Sequence, residues 1–487
     1  MTGLAARGSD GRDLLATLRP PRRRRGRWSA PVRIRTRTAA IVALACCLAA
    51  LAAVLLGQVR GEFQAMGQQD APEADATTGL YFALNDMDAQ VANVLLVGGD
   101  PALAASRSQD LATFTSDRAT ADRDLQQATI SEAGNAAAER ELSLVLNRAA
   151  QYEALAADAL LASQQAHSAA GRAPAAAVAY YRQATDLMQE GVLPAVGSLA
   201  TVSAARLAAA YQGGRTATGT GTAWVLVLGA LLVVALIGLQ LHLARRFRRL
   251  VNPALVAATV VAIALVTATA VRLGAESGHL RVAKQDAFDS VQALTLARAV
   301  SYDANADESR FLVDPGRAAQ YQQAFLSKSQ QIANVGPAGI SGYDAALAAD
   351  VQAYERDHSD VRFGGYLGAE FRNITFPGER QAAVAALLAF QRYERDDRTL
   401  RALAAKDLPA AVAYDTGTAP SQSDGAFNQY DKALASVIAV NASAFTAAVA
   451  DGEDGAVGWE AGLPAAGLVL LVALTLAGVR PRLAEYQ

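Results

Sequence analysis

The segment Ser301-Tyr302-Asp303-Ala304-Asn305-Ala306-Asp307-Glu308-Ser309-Arg310 crowds ionisable side chains into about three helical turns, in a 487-residue chain of which only 18% is charged. No heptad phase laid over it keeps polar side chains off a buried seam. Asp303, Asn305, Asp307, Glu308 and Arg310 therefore admit two readings. They lie on a solvated helix laced by pairs such as Asp307 to Arg310. Alternatively, they form a polar cleft near the tip of a bundle that binds a ligand or partner, because a lone charge on an apolar seam is costly.

A second set of side chains stands out by composition. Between about 360 and 379, Gly, Pro and aromatics replace the prevailing Ala, and Arg362, Phe363, Tyr366, Phe371, Arg372 and Phe376 are of the types enriched at protein interfaces. Either they contact a partner protein, or the segment folds back and plugs the bundle with its own rings. The sequons at Asn373 and Asn441 are short enough to arise by chance.

The signatures of enzyme chemistry are missing. Four lysines give no Gly-Lys-Ser/Thr phosphate loop, and there is no Gly-x-Ser-x-Gly elbow or His-Glu-x-x-His pair. The four histidines are scattered singly, and the two cysteines, Cys46 and Cys47, are adjacent in one apolar run. No catalytic residue, metal site or cofactor is expected.

The elements that must position these residues include membrane spans. Four stretches free of Asp, Glu, Lys and Arg, at about 38–57, 223–243, 251–271 and 461–479, have the length a helix needs to cross a hydrocarbon layer of roughly 30 Å. Arginines set their orientation. They cluster in the tail 1–37, including Arg22 to Arg25 and Arg27, in the hairpin 244–250 as Arg245, Arg246, Arg248 and Arg249, and in the tail 480–487 as Arg480 and Arg482. Of 44 basic and 46 acidic residues these pieces hold 17 and 3, leaving 27 and 43 outside, so the interior is near +14 and the exterior near −16. The expectation is a multi-pass plasma-membrane protein with both termini cytoplasmic, whose arginines contact anionic lipid and offer a surface to a cytoplasmic partner. Trp224 and Trp459 fall at outer span ends.

The two exterior segments, 58–222 and 272–460, read as copies of one unit. Asp100-Pro101 matches Asp314-Pro315 at an offset of 214, and Ala175-Ala176-Ala177-Val178-Ala179-Tyr180 aligns with Pro409-Ala410-Ala411-Val412-Ala413-Tyr414 at 234, so about 20 residues are inserted in the second copy. Leu80, Leu84, Met87, Val91 and Val94 step by 4, 3, 4, 3, and Val178, Tyr181, Thr185, Met188, Val192, Ala195, Leu199 and Val202 do likewise, which is the seam of a helical bundle. Breaks at Gly98 to Pro101, Glu132 to Asn135 and Ala170 to Pro174 divide the first copy into four helices, and Gly213-Gly214 to Gly221 reads as a flexible joint before the second span. The predicted fold is all-α: four transmembrane helices and two extracytoplasmic antiparallel four-helix bundles.

A bundle between two spans, with Asp-Pro at its first tip and Ala-Ala-Val-Ala-Tyr at a later helix start, resembles the four-helix sensor domain of chemoreceptors. The whole layout, with its Arg hairpin and the ending Arg480-Pro481-Arg482-Leu483-Ala484-Glu485-Tyr486, resembles the actinobacterial four-span membrane protein of the glutamine/glutamate-sensing system. That resemblance implies a signal transducer between an extracytoplasmic amino-acid-binding lipoprotein and a cytosolic serine/threonine kinase or its adaptor. The insertion and distal tips would dock the lipoprotein, and the Arg flanks would meet the kinase. A homodimer is compatible with it, and nucleic acid is not an expected partner. Two rivals stay open: bundles that bind a small molecule directly, and an envelope scaffold.

Overall fold

A computed structural model describes residues 30–131, 136–247, 252–456 and 462–484. The expectations placed on Arg22 to Arg27, Glu132 to Asn135, Arg248, Arg249, Trp459 and Glu485-Tyr486 lie outside the described residues, as do the side chains of Arg246 and Arg482. Among the described residues there is no strand, and the fold is all-α as expected.

The first copy comprises α1 (Ala30–Ala65), a π-helical turn Met66–Asp70, α2 (Ala71–Val97), α3 (Ala104–Ser131), α4 (Ala136–Ala166), α5 (Ala175–Leu187), a second π-helical turn Met188–Val192, and α6 (Leu193–Phe247). The second copy runs α7 (Pro253–Arg281), a π-helical stretch Val282–Phe288, α8 (Asp289–Val313), α9 (Ala318–Ile332), α10 (Tyr343–Arg356), α11 (Gly365–Asn373), α12 (Glu379–Ala404), α13 (Leu408–Asp415), α14 (Ser423–Ala456) and α15 (Gly462–Ala484). A π-helical segment precedes both α2 and α8, at nearly the repeat offset.

The chain forms two compact units, Met1–Ala50 with Val225–Ala268 and Leu463–Gln487, and Leu51–Trp224 with Thr269–Gly462. In the first unit Leu232, Leu236, Leu255 and Leu471 are buried, while Leu226, Val234, Val260, Ile263 and Val469 face outward. Asn252 Nδ2 donates to the Gly478 carbonyl at 2.7 Å, tying the start of α7 to α15. Helices with apolar side chains on their outer faces are compatible with a multi-pass membrane protein.

Among the described residues five helical segments are long and apolar enough to span, one more than the sequence suggested. The additional one is α14. Its Phe427, Tyr430, Leu434 and Val437 lie in the core of the second copy, and Asp431 pairs with Arg298 Nε at 2.5 Å, so this part of the helix packs against protein.

The second unit contains both bundles, fused along α2 and α8. The seam of α2 is buried at all five positions from Leu80 to Val94. The last seam holds from Tyr181 to Leu199 and then shifts: Val202 is exposed, and Ser203, Leu207 and Tyr211 turn inward. Leu312, Val313, Leu400 and Val412 of the second copy join the first copy's core, whereas the second copy's own core is aromatic, with Phe325, Phe363, Phe390, Tyr393 and Tyr430.

The joint expected at Gly213 to Gly221 is instead continuous helix within α6. Thr216, Thr220 and Thr222 return their hydroxyls to carbonyls four residues back, satisfying them locally. The glycines serve close packing: a Cβ at Gly214 would lie 2.9 Å from Leu280, and one at Gly221 would lie 2.7 Å from Leu55.

Candidate functional site

At the junction of the two bundles lies a buried ion network. Arg310, 1% exposed, projects from α8. Its Nη2 donates to Asp88 Oδ2 of α2 at 2.6 Å, its Nη1 to Asp307 Oδ1 at 2.6 Å and Asp303 Oδ1 at 2.9 Å, and its Nε to the Tyr181 hydroxyl at 3.0 Å. Lys328 of α9 bridges the outer oxygens of Asp303 and Asp307 at 2.7 and 2.6 Å. Asp88 also accepts from the Tyr152 hydroxyl of α4 at 3.2 Å and the Thr185 hydroxyl of α5 at 2.7 Å. Three carboxylates thus face two cations, with hydroxyls filling the remaining acceptor sites, the condition under which buried charge is tolerated.

The energetics follow from this geometry. Burial alone would raise Asp303, but Lys328 and Arg310 outweigh it and hold its carboxyl below the ordinary range. Burial prevails at Asp307, which sits above that range despite the same two cations. Burial works against the Arg310 cation, yet Tyr181 and the three carboxylates hold it firmly protonated.

Other links join the copies. Arg182 of α5 clasps Asp314, with Nε donating at 2.7 Å, and Arg317 Nη1 donates to Asp186 at 2.6 Å. Ser309 donates to Asn93 Oδ1 at 2.6 Å, and Phe82 meets Tyr302 edge-to-face with centroids 4.7 Å apart.

Of the five residues proposed for a polar cleft, then, Asp303, Asp307 and Arg310 are sequestered in this network. Glu308 points to another flank of α8, accepting from the Tyr393 and Ser423 hydroxyls at 3.0 Å each, and burial with Asp397 and Asp415 nearby pushes it well above the usual carboxylate range. The solvated-helix reading is overturned because all five side chains are buried. Only Asn305 reaches an open space, a cavity of about 600 Å³ that it shares with Asp86, Asp110, Asp424, Tyr302 and Phe427.

The insertion folds as α11 and lies on α8 and α9. Phe363 and Phe371 are buried in the second core, with ring centroids 5.1 Å apart, and Tyr366 packs at its margin. Arg372 donates to the Gly368 and Phe363 carbonyls at 2.8 and 2.9 Å, bracing the turn. Gly365 adopts φ +70°, where a Cβ would lie 2.5 Å from the Gln331 carbonyl, so the backbone can approach the end of α9. For Phe363 and Phe371 the segment folds back and plugs the bundle, while Arg372 stays exposed. Arg362 is exposed, paired with Asp360, and Phe376 is half-buried beside Pro377 and Ala439.

Both sequon asparagines are engaged. Asn373 Nδ2 donates to the Gln285 and Asp286 carbonyls of the π-helical stretch at 2.9 and 3.1 Å, and Asn441 is fully buried. Arg245 and Arg480 are exposed on their helices.

Sequence reasoning missed Asp88, Lys328, Tyr152 and Tyr181, and the acids Asp86, Asp110 and Asp424. One signal was available: Asn85, Asp86 and Asp88 interrupt the apolar α2 beside a seam residue, Met87.

No three acidic, His or Cys side chains among the described residues converge to hold a metal. The architecture is that of a helical protein with apolar helices able to span a membrane and a separate, charge-locked double bundle. Residues 62–212, most of the first bundle, match the family model described as an actinobacterial sensor domain. No curated protein and no solved structure matches the chain. The matched region is similar to a sensing module, and the second copy lies outside the match.

Proposed function

We propose that the protein is a non-enzymatic transmembrane signal transducer. The double bundle stands outside the plasma membrane, both termini are cytoplasmic, and the signal is extracytoplasmic amino-acid availability, glutamate or glutamine. The input comes from a substrate-binding lipoprotein, and the output goes to a cytosolic serine/threonine kinase or its adaptor. The observation that carries this reading is α6, a single 55-residue helix from Leu193 in the first bundle's core to the basic end at Arg245 and Phe247. A small shift or rotation of such a helix is a physical output at its far end. The sensor-domain match over 62–212 supports the sensing role, and the distribution of arginines supports the orientation.

The test locks the first exterior helix to the last. A Cβ at Gly67 would lie 4.0 Å from the Cβ of Val449 on α14, within disulfide range. Gly67→Cys with Val449→Cys, oxidised, is expected to abolish amino-acid-dependent kinase phosphorylation while the lipoprotein still co-purifies. Unchanged phosphorylation rejects the reading. A second reading, direct binding of a small molecule, is favoured by the polar cavity of about 600 Å³ in the double bundle.

A further inference from the structure

The cavity lies between α2 and α3 of the first copy and α8 and α14 of the second, and its volume of about 600 Å³ is ordinary for a small-molecule site. Asp86, Asp110 and Asp424 line it, and none of its lining residues is basic. The neighbouring cations are committed elsewhere: Arg298 is paired with Asp431 and stacked over Phe82, and Arg107 Nη1 donates to the Gly98 carbonyl at 2.7 Å. Asp86 is itself 4% exposed, and it accepts from Gln90 Nε2 at 2.6 Å without a cationic partner. One oxygen of the nearby Asp117 carboxyl is buried without a hydrogen-bond partner. Tyr302 and Phe427, edge-to-face at 4.8 Å, supply ring surface, and Gln90, Asn93 and Asn305 supply amides.

These features select a ligand by charge and shape. Three carboxyl groups line one space that has no basic side chain in its wall, an arrangement that disfavours an anion and offers a cation several acceptor oxygens. A bare metal ion lacks a converging ligand set. An organic ammonium group donates several hydrogen bonds to carboxylates, and its methylenes and charge pack against aromatic rings. We infer that this cavity binds a small organic amine, a mono- or diamine, held by Asp86, Asp110 and Asp424 against Tyr302 and Phe427. Burial raises Asp86 to about 6, Asp110 to about 7 and Asp424 well above the usual carboxylate range, so the empty site retains protons that a bound cation displaces. Because the walls come from both copies, an amine there braces the bundles against each other. The inference rests on the direct-binding reading above.

The experiment is calorimetric titration of the full-length protein in detergent micelles with 1,4-diaminobutane, with glutamate, glutamine and magnesium ion as comparators. The diamine is expected to bind and raise the melting temperature, and the Asp86→Asn/Asp110→Asn variant is expected to lose affinity by about ten-fold or more, the order for a lost charge-assisted hydrogen bond. Without ligand that variant should melt no lower than the parent, since it removes unpaired buried charge. Asp110→Asn alone, at a half-buried position, gives the same reading if the double change impairs folding. Absence of diamine binding, undiminished binding by the variants, or tighter binding of glutamate than of the diamine overturns the inference. Binding is read here rather than phosphorylation, so a negative result leaves the transmission reading standing, and failure of the cysteine lock leaves amine binding untouched.

Discussion

At the repeat offset of 214, Leu96 of α2 corresponds to Arg310 of α8, Val94 to Glu308, Val91 to Asn305 and Ala89 to Asp303. Every one of these side chains is buried. The first copy fills the seam with apolar groups that need only volume, and the second fills it with charges that need named partners, several of which come from the first copy: Asp88, Tyr181 and Gln189. The same asymmetry appears at the tips, where Asp100 caps its own helical turn through Ala102 N at 2.9 Å and Asp314 instead clasps Arg182 of the other copy. The dependence runs both ways: buried Asp88 of the first bundle has Arg310 of the second as its cation, so each bundle is satisfied only when docked to the other.

The sharpest way to break this comparison is to give α8 the seam of α2. Arg310→Leu restores the residue type found at Leu96 but leaves Asp88, Asp303 and Asp307 with Lys328 alone, and should cost about 3–5 kcal/mol, the scale for an orphaned buried charge. Chemical denaturation would read it, and an undiminished midpoint would mean that the network does not hold the copies together.

The insertion offers an internal contrast of inside and outside. Phe363→Ala empties a fully buried ring position and should cost about 3 kcal/mol, whereas Arg362→Ala, on an exposed surface pair, should leave the melting temperature essentially unchanged. Equal effects would refute the assignment of Phe363 to the core.

Acidity separates Asp303 and Asp314, held low by their cations, from buried acids that have no cation in contact. Asp86 is raised to about 6, and Asp110, Asp415 and Glu370 to about 7, in each case chiefly by burial. Their unfolded values lie near 4. A raised carboxyl favours the folded state fully below that value, and the advantage is lost as pH climbs through the folded pKa. The protein should therefore melt higher at pH 5.5 than at pH 8. Asp86→Asn should recover about 2 kcal/mol at pH 8 and flatten the profile. Asp303 and Asp314, held low, do not titrate in that window. A flat parental profile would contradict the picture.

The smallest expected effect is at the capped tip. Asp100→Ala removes one side-chain cap and should cost about 1 kcal/mol, leaving the links between the copies unchanged in a crosslinking assay.

What the sequence determined by itself was whatever depends on neighbours along the chain: the apolar lengths, the arginine flanks, the α2 seam and the Asp-Pro tips, because helical period and hydropathy are local properties. The crowded charges from Ser301 to Arg310 were visible as an anomaly. Their resolution was not, because Arg310 meets Asp88 across 222 positions and no spacing rule links residues that far apart. Likewise Gly213 to Gly221 carries the composition of a joint, yet close packing against Leu280 and Leu55 makes it continuous helix, and the aromatics of the insertion turn inward because the second core has room for them. Only the tertiary structure decided which charges are paired and which face a cavity, since burial and partnership are properties of neighbours in space.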